Sequence, residues 1–222
     1  MISIIVPVYN ESSIIHDCLL SIAGWQRQGH EVIVVDGGSR DETREIADRH
    51  ADLVCQSPRG RAMQMNVGAS RARGEILMFL HADTRLPEPT GNLEQQLSRP
   101  GWGRFDVRLS GKRLAFRIIE YFINMRSRLS GIATGDQAIF VSKQLFTEAG
   151  GFPGIPLMED IALCRKLLNM NGRPLCLKEK VITSSRRWEK NGIARTVLLM
   201  WSLRTAYWLG AKPSRLARFY AG

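Results

Sequence analysis

The sequence predicts an α/β fold, with a mostly parallel central sheet and helices on both of its faces. Three observations carry this. Short apolar runs bounded by polar turn residues recur along the first hundred positions, segments with apolar residues at three- and four-residue spacing stand between them, and 222 residues at 44% hydrophobic suffice for one sizeable core.

Ile2 to Val8 reads as a buried strand, and Asn10 to Ser13 offer capping residues before Ile14, Ile15, Cys18, Leu19 and Ile22 recur at helical spacing. "EVIVVD", Glu31 to Asp36, is a second strand; Ser39 and Glu42 fit a capping box that opens the next helix. "ADLVCQ" is a third strand, Arg61 to Ala72 a helix stopped near Gly74, and "EILMFL" a fourth strand. After Pro100 the pattern changes. "RFDVRL" alternates as a half-exposed strand does, a long helix runs from about Lys112 to Leu129, "QAIFV" is a strand, a short helix follows Ser142, and "EDIALCRKLLN" is a helix beginning at an acidic pair. No Pro-, Gly- or Ser-rich linker and no repeat divides the chain, so residues 1–222 are expected to form a single domain with parts at 1–100, 101–190 and 191–222.

Lys and Arg outnumber Asp and Glu by 31 to 21, a net charge of +10, which points to an anionic partner: nucleic acid, a phosphorylated substrate or a lipid surface. An RNA-binding role has only this charge behind it and no aromatic-interleaved motif, so no nucleic acid is expected. Cys18, Cys55, Cys164 and Cys176 form no CxxC pair and read as reduced thiols. "MISIIVPVYNES" lacks a basic region and is interrupted by Pro7 and Asn10, which excludes a signal peptide and predicts a cytoplasmic protein.

In an open parallel sheet, ligands bind beyond the carboxyl ends of the strands, and three strands here end in polar clusters: Tyr9-Asn10-Glu11, Asp36-Gly37-Gly38-Ser39 and His81-Ala82-Asp83. Taken singly, Asn10 and Ser39 serve equally well as helix caps and Asp36 as a turn former; three clusters at one edge favour a site. No GxGxxG follows the first strand and no GxxxxGK[ST] occurs, which argues against a dinucleotide enzyme and excludes a Walker-type NTPase. Magnesium binds through one or two carboxylates plus substrate phosphate oxygens, so Asp83 alone suffices as its protein ligand when a diphosphate completes the shell. Arg61 and Asn66 in "RGRAMQMN" are further candidates for phosphate or sugar, and Asp136 or Gln137 in "GDQAIF" for the acceptor side.

"IIVPVYNE", "VVDGGSRDET", "NVGASRARGEILMFLHADT", "GGFP" and "MEDIALCRKL" together resemble, in order and spacing, the family 2 glycosyltransferases. The resemblance covers about Met1 to Leu168 and implies a GT-A fold with a Rossmann-like N-terminal half. It implies a nucleotide-sugar-binding part (1–100) and an acceptor part (101–190), to which composition adds a basic, aromatic C-terminal helical segment (191–222). On it, Pro7, Tyr9, Glu11 and Asp36 line the pocket of a UDP- or GDP-sugar, with His81, Ala82, Arg61 and Asn66 beside them. Asp83 takes the metal-binding place for Mg2+ or Mn2+, and Asp160, with Glu159 before it, that of the catalytic base. The activity implied is inverting, metal-dependent transfer to a hydroxyl.

Three positions depart from the family pattern. Gly37 replaces the second Asp of the pair before the turn, His81 the first acid of DxD, and Ser184 the Gln of QxxRW, whose Arg187 and Trp188 remain. The last predicts transfer of a single sugar, with Arg187 a second cation on the diphosphate. Two alternatives stay open: a nucleotidyltransferase, although the Gly-rich, Arg-containing loop it requires is missing from "VPVYNES", and a non-catalytic anion- or membrane-binding module with a decayed site.

The Lys112–Leu129 helix has Arg113, Arg117, Glu120, Asn124, Ser127 and Arg128 in one arc, and an apolar arc wider than packing on one sheet requires. Arg126 interrupts that apolar arc without explanation. From Arg186 to Gly222 eight Lys or Arg and one Glu give +7, interleaved with Trp201, Tyr207 and Trp208. A peripheral contact with the inner face of the cell membrane and a lipid-linked acceptor are the expectation; a helix closing the core with a basic tail is the alternative.

Overall fold

A computed structural model describes residues 1–89, 93–97 and 101–221. The boundary placed at residue 100 lies outside the described residues. The strands are β1 (Ile2–Val8), β2 (Glu31–Asp36), β3 (Leu53–Gln56), β4 (Ile76–Phe79), β5 (Thr84–Arg85), β6 (Trp102–Leu109), β7 (Ile139–Ser142) and β8 (Leu175–Thr183). The helices are α1 (Ser12–Arg27), α2 (Thr43–Asp48), α3 (Arg61–Arg71), α4 (Leu93–Gln96), α5 (Leu114–Ser130), α6 (Lys143–Glu148), α7 (Glu159–Asn171), α8 (Arg186–Asn191), α9 (Ile193–Trp208) and α10 (Pro213–Ala221).

One sheet in the order β3-β2-β1-β4-β7-β6-β8-β5 runs through both parts of the chain. β3, β2, β1 and β4 are parallel, as the alternation of strands and helices requires; β7 is antiparallel to both of its neighbours, β8 parallel to β6, and β5 antiparallel to β8. β1 and β2 are buried at every position, being covered by α1 on one face and α3 on the other.

Beyond Gly103, β6 runs past the end of β7, which pairs with it only at Trp102 and Gly103. The stranded backbone groups of β6 are met by side chains of α5: Leu109 N–H donates to Glu120 Oε1 at 2.6 Å and Val107 N–H to Asn124 Oδ1 at 2.9 Å, while Asn124 Nδ2 donates to Val107 O at 3.0 Å. An unmet buried backbone group costs as much as a lost hydrogen bond, so this demand turns the polar arc of α5 inward. Leu114, Ile118, Tyr121, Phe122 and Leu129 consequently face outward.

Two expectations are corrected. The alternation of "RFDVRL" does not mark a half-exposed strand: Arg104 is fully buried and pairs with Asp106, which also accepts from Arg128 Nη2 at 2.7 Å. Ser39 and Glu42 form no capping box, because Asp36 captures Ser39 and the helix starts at Thr43 with no side-chain cap. The C-terminal segment packs on the rest of the chain, as the core-closing alternative has it: Leu203 of α9 and Leu216 of α10 join Leu157, Met158 and Ile161 in a third apolar cluster.

Candidate active site

The loops after β1 and β2 buttress each other. Asn10 N–H donates to Ser39 Oγ at 2.9 Å, Arg40 N–H to Asn10 Oδ1 at 2.8 Å, Glu11 N–H to Thr43 Oγ1 at 2.8 Å and Ser12 N–H to Asp41 Oδ2 at 3.1 Å. Asn10 adopts φ 54°, a left-handed conformation that Asn tolerates better than most residues. Asp36 is 1% exposed and binds the backbone N–H of Ser39 at 3.0 Å and its hydroxyl at 2.6 Å, the ordinary work of a turn aspartate. Pro7 is buried within β1, and Tyr9 lies under Arg59, whose guanidinium carbon is 4.1 Å from the ring centre.

Gln64 of α3 ties these ends together by donating to Val8 O at 2.7 Å and Val35 O at 2.8 Å. A Cβ at position 37 would stand 3.2 Å from the Gln64 amide, so Gly37 belongs with Gln64. Asn66 has both ends of its amide engaged by the backbone of Phe152, at 2.8 and 2.9 Å. It joins α3 to the "GGFP" loop, and its amide is spoken for rather than offered to a sugar or phosphate.

Asp83 is exposed, and one of its oxygens accepts weakly from Thr84 Oγ1 at 3.2 Å. β5 holds it beside the end of β8: the Thr84 and Thr183 hydroxyls hydrogen-bond at 3.0 Å, and Ser184 N–H donates to Asp83 O at 3.1 Å. The Ser184–Asp83 backbone bond thereby brings the "SSRRW" segment to the metal candidate. Asp83 acts electrostatically on Glu11, whose carboxyl is pushed above its ordinary range by burial and then by Asp83, against Arg186 and Arg61. One hard, half-free carboxylate fits a divalent ion that takes its other ligands from a diphosphate and water. Among the described residues no cluster of three His, Cys, Asp or Glu side chains offers a complete protein cage.

His81 packs directly against Gly135, where a Cβ would collide with the imidazole at Cε1 and Nε2. Burial, then the charge of Arg61, hold its pKa down to about 3 against Asp136, so the imidazole is neutral. Ala82 is buried behind it.

Asp160 is the second residue of α7, two after Met158, which holds φ 69°. A left-handed non-glycine residue costs on the order of 1–3 kcal/mol and persists where surrounding structure imposes it. Here the third apolar cluster grips Met158 and Ile161. Asp160 accepts from Gly135 N–H at 2.9 Å and from its own helix at Ile161 N–H at 2.7 Å. Burial raises its pKa; the two N–H groups and Arg204 oppose that rise and Asp136 adds to it. Burial and Asp160 likewise raise Glu159, which is 5% exposed and faces the charge of Arg61. Of the two acids, Asp160 is the more exposed to solvent.

Arg187 is placed differently from the expectation of a free phosphate cation. Its guanidinium lies 3.6 Å from the centre of the Tyr220 ring and donates to Tyr220 O at 2.9 Å. Its neighbour Arg186 is the cation that acts on Glu11. Trp188 is half-buried in α8. Sequence reasoning missed Gln64, Arg186, Arg204 and Tyr220; Gln64 and Arg186 lie inside "RGRAMQMN" and "SSRRW", whereas Arg204 and Tyr220 lie far along the chain from the Asp160 and Arg61 that they act on.

A cavity of about 160 Å³ lies elsewhere, between Ile2, Trp25, His30, Leu93 and Phe105, and gathers no such constellation.

The family model described as glycosyl transferase family 2 matches residues 3–107. Glycosyltransferase AglE of Haloferax volcanii is 36% identical over 91 residues, which are 37% of this chain and 30% of that protein, so the chain matches well under half of its relative. A mannosyltransferase from Pyrobaculum calidifontis, solved with GDP-Man and Mn2+, superposes with a TM-score of 0.67 at 24% identity over 98% of this chain and 68% of that one. Staphylococcus aureus TarS, solved with UDP-GlcNAc, gives 0.66 at 21% identity over 82% and 58%.

Proposed function

We propose that the chain is a family 2 glycosyltransferase, on the match of that family's model to residues 3–107 and on its GT-A fold, and that it transfers one sugar from a UDP- or GDP-sugar to an acceptor hydroxyl. The observation that carries this reading is the convergence at one end of the sheet of Asp83 and Glu11 with Arg61 and Arg186, next to a separately held Asp160. The first group suits a metal-bound diphosphate, and Asp160 suits an acceptor hydroxyl.

In this reading the acceptor oxygen forms its bond to the anomeric carbon as the bond to the diphosphate breaks, its proton passes to Asp160, and the configuration inverts. Asp83 would hold Mg2+ or Mn2+, whose charge, when bound, neutralises the departing diphosphate. Arg61 and Arg186 add positive charge there. His81, being neutral, spares the diphosphate a carboxylate. Two of the three departures from the family pattern, His81 and Gly37, meet a fitted neighbour, Gly135 and Gln64 respectively, which supports an adapted site rather than a decayed one.

The base works only when ionised, and burial raises the Asp160 pKa, so the acidic limb of kcat/KM is expected above the ordinary aspartate range. The test is binding of UDP and GDP with and without Mn2+, followed by transfer. Asp83→Asn should abolish the Mn2+-dependent gain in nucleotide affinity; Asp160→Asn should keep donor binding and lose about 10²–10⁴-fold in turnover. Nucleotide affinity indifferent to Mn2+ in the parent protein overturns the metal assignment, and full turnover by Asp160→Asn overturns the base.

We further propose that the protein works at an anionic lipid surface. Outward-facing Tyr121 and Phe122 of α5, Trp201 and Trp208 of α9 and Phe219 of α10 support this, with Lys112, Arg113, Arg195, Arg215 and Arg218 exposed among them. Basic residues near such a surface contribute about 1 kcal/mol each. Among the described residues no helix is long and apolar enough to cross a membrane.

A further inference from the structure

Arg126, the charge that interrupts the apolar arc of α5, is half-buried, and its Nη1 donates to Ile132 O at 3.3 Å. Ile132 packs into the third cluster with Leu199, Met200 and Leu203 of α9 and Ile161 of α7. Arg204 is on that same side of α9, four residues beyond Met200 and three before Tyr207, and is half-buried too. The two guanidiniums repel each other: burial, then the charge of Arg204, hold Arg126 down to about 10 against the opposing charges of Asp136 and Asp160.

Two acids stand near, yet neither pairs with these cations. Asp160 spends its oxygens on the N–H groups of Gly135 and Ile161. Asp136 leaves Oδ1 buried without a hydrogen-bond partner. Among the described residues the ion pairs include neither Arg126 nor Arg204. Holding two half-buried like charges near each other is unfavourable, and an anion bound between them would relieve it. Guanidinium groups suit phosphate, which they bind through paired N–H donors.

We propose that Arg126 and Arg204 form a subsite for a phosphate group carried by the acceptor, beside the hydroxyl held at Asp160. The role of Asp160 rests on the transferase reading; the anion subsite itself does not. The phosphate belongs either to a soluble phosphate ester or to a lipid, since the outward apolar residues of α5 and α9 flank the same two helices.

The experiment titrates inorganic phosphate into protein saturated with UDP and Mn2+, so that the donor's phosphate positions are filled, at constant ionic strength set with chloride. Phosphate should bind, Arg204→Gln and Arg126→Gln should each weaken it at least tenfold, and Arg126→Lys should recover part of the loss, with UDP affinity unchanged throughout. Arg204 makes no hydrogen bond among those described, so its glutamine variant tests the subsite without depending on a structural contact. A second arm compares dodecyl phosphate with dodecanol in neutral detergent micelles. Dodecyl phosphate binding at least tenfold tighter than inorganic phosphate supports a lipid source; equal affinity supports a soluble one. Phosphate binding that is absent, or equal in the parent and Arg204→Gln, overturns the subsite. Should UDP and Mn2+ fail to bind, that failure falls on the transferase reading, and the Arg204 dependence of phosphate binding still decides the subsite.

Discussion

α1 and α5 are nearly equal in length, and both lie against the sheet, yet they bury opposite kinds of residue. α1 turns Ile15, Cys18, Leu19, Ile22 and Trp25 inward; α5 turns Phe116, Glu120 and Ser127 inward and leaves Leu114, Ile118, Tyr121, Phe122 and Leu129 outside. The difference lies in what each helix covers. α1 meets side chains of β1 and β2, whose backbones are paired on both sides. α5 meets the length of β6 that β7 fails to pair, and must bring hydrogen-bonding groups of its own. A helix's inward face is thus chosen by the unmet needs of its neighbour, not by its own hydrophobicity alone.

The largest stability contrast comes from matched truncations. Ile22→Ala, at a fully buried position of α1, should cost about 2–5 kcal/mol, whereas Ile118→Ala, 59% exposed on α5, should stay within about 0.5 kcal/mol. Urea denaturation reads both, and equal losses would break the comparison. Asn124→Ala strands the N–H and C=O of Val107 and should cost about 1–3 kcal/mol; Asn124→Leu, more apolar, should give no rescue.

A charge placed on the outer apolar face should act on membrane attachment rather than on stability. Tyr121→Asp with Phe122→Asp should reduce co-sedimentation with anionic vesicles at low salt, while Leu20→Asp, 52% exposed on α1, should not. Parent protein remaining in the supernatant at low salt would refute the lipid-surface reading.

The smallest effect separates a satisfied buried acid from an unfavourable one. Glu120 serves Leu109 and Arg117, so its loss should destabilise. Burial and Asp160 raise the pKa of Glu159, so the folded state favours its protonated form. That preference stabilises fully below the ordinary glutamate value of 4.5 and is lost as pH rises through the higher folded value. Glu159→Gln should therefore raise Tm at pH 7, by roughly 2–4 °C if about 1 kcal/mol is recovered, and the gain should shrink toward pH 4. An unchanged difference between the two pH values would show that Glu159 carries no such penalty.

The parallel strands were legible because β1, β2 and β4 are buried on both faces and read as continuous apolar runs. β6 was misread because the partnered burial of Arg104 and Asp106 imitates a solvent-facing alternation. β8, "LCLKEKVIT", escaped notice because its Lys and Glu residues mask the period of a strand. The acids of the site, Asp83 and Asp160, follow strand or helix ends and could be found locally. Arg126 and Arg204 come near each other only because α9 packs on Ile132, a relation that no local pattern contains.

The contact between His81 and Gly135 constrains how the sequence can diverge. A Cβ at 135 would collide with the end of the imidazole, so a side chain there requires the His81 ring to move. The reverse does not hold, because Gly135 tolerates a smaller residue at 81. Substitution at the two positions therefore has a preferred order: glycine at 135 before histidine at 81, and an acid back at 81 before 135 is released. The two positions should covary, with histidine at 81 keeping glycine at 135 unless its ring is turned away.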